Sequence, residues 1–195
     1  TDRSHTSFTR FYAGYASPVI VDTYEGLDQL AAAFDDSPAV GTQKSVIVDL
    51  AAQTAAPLSR WVRDCDLLSL MGEMGVTVNF WHLADSGKDS VDLLDRLLNT
   101  YGTGPNYFVV KNLGRGSDFS QLDQSPALKK ALALGGQVIT LPQLHEGSMQ
   151  KIDARNLSFW AAINDRSSVS LGMLERQRVK TWLKAVYATL DTLPL

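Results

Sequence analysis

A single cysteine, Cys65, excludes an intramolecular disulfide framework and suits a reducing compartment, here the cytoplasm. Asp64 and Asp66 flank it, and adjacent negative charge disfavours the thiolate, so a reactive thiol is not expected. No apolar run reaches the roughly 18 residues of a membrane span, and no secretory signal pattern opens the chain. Basic residues are not in excess: 18 Lys and Arg stand against 21 Asp and Glu, a net charge of −3. The overall electrostatic footprint of a nucleic-acid binder is therefore missing. The three histidines, His5, His82 and His145, show no metal-ligand spacing, which argues against zinc. A hydrolase using Ser86 would want the G-x-S-x-G elbow, and that too is absent.

What is present is an alternation. Five short apolar, mostly β-branched runs read as strands: 18–24, 45–51, 76–83, 106–112 and 137–143. Between them lie helical patterns over 26–35, 57–74, 87–101 and 121–134. In the third, Val91, Leu94, Leu97 and Leu98 recur at three- and four-residue spacing, with Asp92, Asp95 and Arg96 on the other side. Pro57 suits the first helical position, where a missing N–H costs nothing. Crossovers of this length imply parallel strands covered by helices on both faces. The reading is an α/β class, doubly wound, mainly parallel sheet. Residues 148–164 and 169–193 then read as two further helices. The whole of 1–195 is taken as one domain, with 148–195 a C-terminal helical extension packed on it.

In such a sheet ligands gather beyond the carboxyl ends of the strands. Asp49 closes the run Ser45-Val46-Ile47-Val48, a form that suits a carboxylate orienting the waters of Mg²⁺, and equally a helix-capping or loop-bonding acid. Asn112 ends the fourth run, where a side-chain amide can read a purine edge or close a turn. Asp85-Ser86-Gly87-Lys88 follows the third run as a phosphate loop would. The G-x-x-x-x-G-K-[ST] pattern fails, however, because His82 stands in place of the first glycine and Asp89 in place of the hydroxyl. Gly114-Arg115-Gly116-Ser117 could cradle an anion but lacks an immediate helix and the remaining glycine of a dinucleotide fingerprint, so it reads as a flexible loop, and His82 as a structural residue within a strand. His145 and Glu146 are either an acid–base pair or surface loop.

In order and spacing these segments resemble the ParA/MinD family of deviant-Walker P-loop ATPases (the CobQ/CobB/MinD/ParA type). The likeness is nearest to its plasmid-borne TraL-like and mobilisation-associated branch. SVIVDLAAQTAAPL is similar to the Walker B strand and its loop, NFWHLADSGKDSVDLL to the next strand–loop–helix, and NYFVVKNLGRG to the asparagine-bearing strand. ITLPQLHE resembles the proline-bearing segment beside the base, and SLGMLERQRVKTWL the C-terminal helix. The resemblance implies a P-loop fold and a cytoplasmic, dimeric ATP-binding hydrolase working with ATP and Mg²⁺. It implies roles for Asp2 and Asp49 at the metal and attacking water, and for Asn112, Pro142 and Gln143 beside the base. Plasmid partition, conjugative transfer or mobilisation would be the setting, with a homodimer or a partition or transfer protein as partner. It further implies that the Walker A strand and loop precede Thr1, so that residues 1–195 alone do not hydrolyse ATP. Lys88 then belongs to a secondary loop. The alternative is a non-catalytic interaction module whose terminal helices recruit a partner through Trp160 or Trp182.

Overall fold

The computed structural model describes residues 7–21, 23–35, 45–51, 54–167 and 171–194. The chain divides into two compact units, residues 1–73 and 74–195.

The first unit is helical: α1 (Ser7–Phe11), α2 (Tyr24–Asp35), α3 (Ala55–Asp64) and α4 (Leu67–Glu73). Leu58, Trp61 and Val62 of α3 are buried at positions that share one helical face. The Trp61 indole donates to Asp28 of α2 at 2.9 Å, and the Tyr24 hydroxyl donates to Asp64 at 2.6 Å. The Thr23 hydroxyl accepts from the Gly26 backbone N–H at 3.2 Å, serving a donor that the first turn of α2 leaves unpaired. A Cβ on Gly26 would lie 1.8 Å from the carbonyl oxygen of Ile20, so only glycine lets the chain turn into α2 there.

Two expected strands do not form in this unit. Residues 18–21 are irregular, Asp22 lies outside the described residues, and Tyr24 already belongs to α2. Residues 45–51 join no sheet either. A β-branched run is a strand only when a neighbour pairs with it. Among the described residues neither run has one, and Ile20 and Ile47 are left 54% and 81% exposed.

The second unit is α/β. It runs β1 (Asn79–Ala84), α5 (Lys88–Tyr101), β2 (Asn106–Asn112), a 3₁₀ turn (Leu113–Arg115), α6 (Ser120–Gln124) and α7 (Pro126–Ala133). It continues through β3 (Gln137–Leu141), α8 (Glu146–Ala154), α9 (Phe159–Asn164) and α10 (Met173–Leu190). The three strands are parallel in the order β1-β2-β3, with His82 beside Val109 and Val109 beside Val138. Alternate residues point to one face. Phe80 and Ala84, Tyr107 and Val109, and Val138 thereby join Leu94, Leu98, Leu122, Leu128 and Ala131 in a single core under α5, α6 and α7.

Several helices are shorter than their apolar pattern. The 57–74 stretch begins at Ala55, placing Pro57 third, and breaks at Cys65-Asp66, where Asp66 takes φ +45°. The 121–134 stretch breaks at Ser125, which caps α7 ahead of Pro126 at its first position. The 148–164 stretch breaks around Asn156, at φ +53°. Asn and Asp tolerate this left-handed region better than other residues with a Cβ.

Candidate functional site

Because the strands are parallel and adjacent, their carboxyl ends deliver three loops to one rim: Asp85–Gly87, Asn112–Gly116 and Pro142–His145.

The first loop folds on itself. The Gly87 N–H donates to the Asp85 carboxylate at 2.8 Å, and the Asp85 N–H donates to the Ser90 hydroxyl at 3.2 Å. Asp89 stands in the first turn of α5. An internal carboxylate already serves this helix end, and both acids would repel a phosphate placed there. Lys88 is exposed and stands as the first residue of α5, not within the loop before it.

The second loop seats against the first. Gly116 has φ +145°, and a Cβ there would stand 2.3 Å from the Ser86 hydroxyl oxygen. Glycine is needed both for the backbone conformation and for the close approach. The Asn112 side chain accepts from the Gly114 N–H at 3.0 Å and so closes the turn. Its amide nitrogen, a donor, makes no bond among the described residues.

The third loop is tied to the C-terminal helix. The Trp182 indole donates to the Pro142 carbonyl at 2.6 Å, and the Trp182 ring packs on Phe159 with centroids 4.9 Å apart. A groove of about 410 Å³ opens here between Pro142, Gln143 and His145 on one side and Arg178, Thr181 and Trp182 on the other. Pro142 and Gln143 thus share one lined concavity with a cation and a hydroxyl. Neither the close approach of Gly116 to Ser86 nor the bond from Trp182 to Pro142 is among the expectations from sequence. An indole N–H on an otherwise apolar helix face, which must find an acceptor when covered, is the signal that would have flagged Trp182.

Asp49 lies in the first unit, exposed and outside any strand, and Asp2 lies outside the described residues. An exposed carboxylate is the right kind of ligand for a hard cation that keeps most of its waters. No cluster of three or more metal-ligating side chains occurs among the described residues. His82 meets the Ser90 hydroxyl at 3.5 Å rather than Ser86, so no serine–histidine pair forms at the loop. Burial pushes the His82 imidazole below its ordinary pKa, although Ser90 and the charge of Asp85 oppose the shift. His145 faces Ser148 at 3.5 Å while Glu146 accepts from Gln150 at 3.1 Å, so these neighbours do not act as a pair.

No helix among the described residues is long and apolar enough to cross a membrane. No protein-family model matches the chain, and neither a curated protein nor a solved structure matches it closely enough to count as a relative.

Proposed function

We propose that the chain acts as an ATP-binding, Mg²⁺-dependent switch of the ParA/MinD type, in plasmid partition, conjugative transfer or mobilisation. The supporting observation is the rim. Three parallel strands carry, in chain order, the secondary loop, the asparagine and the proline-bearing segment, and their carboxyl ends share one edge. The purine would lie in the groove at Pro142 and Gln143, with Asn112 on its flank. Asp49 and Asp2 are the acids assigned to Mg²⁺, which when bound supplies charge neutralisation on the phosphates. The α/β layering, a parallel sheet with α5 to α7 over one face, supports the α/β part of this reading.

The test uses a fluorescent ATP analogue, with energy transfer from the chain's tryptophans, Trp182 beside the groove among them, as the readout. It is applied to the full-length protein that contains residues 1–195. Saturable, Mg²⁺-enhanced transfer in the full-length protein, weakened several-fold by Asn112→Ala and losing its Mg²⁺ dependence in Asp49→Asn, is the expected result. Sedimentation should show ATP favouring a dimer. No transfer and no thermal shift at millimolar ATP in the full-length protein would overturn the proposal, because a ligand specific to the native state must stabilise it.

A further inference from the structure

A second groove, of about 470 Å³, runs between α9 and α10. Its floor is apolar, formed by Ile163 of α9 with Leu183, Tyr187 and Ala188 of α10, and Lys180 and Lys184 line it one helical turn apart. The chain as a whole is acidic, yet α10 holds Arg176, Arg178, Lys180 and Lys184 against Glu175 alone. Glu175 is already engaged by Lys151 at 2.5 Å and by the Gly172 N–H at 2.9 Å. Lys180 and Lys184 are exposed and pair with no described residue. Tyr187 is 57% exposed, and Trp160, one turn before Ile163 on α9, is 72% exposed.

We propose that this groove docks an acidic amphipathic helix of a protein partner. Side chains three and four residues apart share a helix face. A partner helix can therefore set a leucine-sized side chain between Ile163 and Leu183 while two carboxylates one turn apart meet Lys180 and Lys184. Asp191 lies at the far end of the groove and repels acids there, which fixes the direction in which the partner's charged turn lies. The charges supply steering and register, and the apolar floor supplies the hold. A nucleic acid suits the site less well, since two lysines beside an aliphatic floor are not a cationic track along a phosphate chain. A bilayer would want a broader apolar face. This inference stands apart from the nucleotide reading and uses none of its residues.

Fluorescence anisotropy on the intact chain tests it. The probe is a labelled peptide of about 18 residues, long enough to hold helical turns, with leucines on one face flanked by glutamates. A second peptide carries lysine at every glutamate. The unaltered chain should bind the acidic probe saturably and at least about tenfold more tightly than the basic one. Lys180→Glu with Lys184→Glu should reverse that preference. Tyr187→Ala, which leaves the charges intact, should weaken the acidic probe several-fold. Failure of the unaltered chain to discriminate the two peptides would overturn the proposal, as would indifference to Tyr187→Ala. Tighter binding of a single-stranded oligonucleotide or of phosphatidylserine vesicles, abolished by the double reversal, would overturn it in favour of those partners.

Discussion

The indole nitrogen of Trp182 sits 2.6 Å from the carbonyl oxygen of Pro142, forty positions earlier in the chain. That bond fastens the last rim loop to the C-terminal helix, and the half-buried ring closes one wall of the rim groove. Trp182→Phe keeps an aromatic ring against Phe159 but leaves the carbonyl without its donor. Urea unfolding should show a loss of about 1 kcal/mol. Trp182→Ala removes the ring as well and should cost about 3 kcal/mol.

Gly116 and Gly26 are both irreplaceable, for different reasons that mutagenesis can separate. At Gly116 an alanine meets a side chain, Ser86, and a positive φ. Gly116→Ala should destabilise by about 2 kcal/mol, and Ser86→Gly in the same chain should restore only the steric part. At Gly26 the obstacle is the backbone of Ile20, so Gly26→Ala should unfold the turn into α2 with no rescue from trimming any neighbour. Calorimetric melting of the three variants distinguishes the cases.

Ser125 serves two helices at once. Its hydroxyl donates to Leu122 at the end of α6, at 2.7 Å, and accepts from the Leu128 N–H in the first turn of α7, at 3.0 Å. The residue is buried, so water does not replace either partner freely. Ser125→Ala should cost about 1 to 2 kcal/mol in urea unfolding.

His82 gives the fold an acid-side dependence. Its folded pKa is lowered, chiefly by desolvation, while in the unfolded chain it returns to about 6.5. Below that value the unfolded state binds the additional proton. Stability is therefore complete above about pH 6.5 and declines as pH falls toward the folded pKa, by at most about 1.4 kcal/mol per pH unit. His82→Gln should flatten this part of the curve. Unfolding midpoints at several pH values between neutrality and mild acid supply the check.

The second unit was readable because its signals agree. In β1 to β3 the apolar runs, the helical crossovers between them and the rim loops all point to one parallel sheet, and the sheet forms. The runs at 18–24 and 45–51 carry equally strong β-branched character, but pairing is a property of neighbours and is not written in the run itself. Helix breaks were partly legible. Ser125-Pro126 is a cap followed by a first-turn proline, whereas nothing local marks Asp66 or Asn156 as residues that will take positive φ. At the rim, Asn112 could be placed from its position at the end of a strand. The Gly116–Ser86 approach depends on two loops meeting across adjacent strands, and a one-dimensional pattern does not contain that meeting.

Ile47, Val48 and Leu50 face solvent from a run without proline or glycine, and the edge strand β1 exposes Leu83 at 61%. Short apolar windows of low net charge are templates for intermolecular cross-β stacking. The colloidal lifetime of a concentrated solution is therefore governed by these few side chains. A single lysine at Ile47 should delay thioflavin-positive fibre growth while leaving the helical circular-dichroism signal where it was.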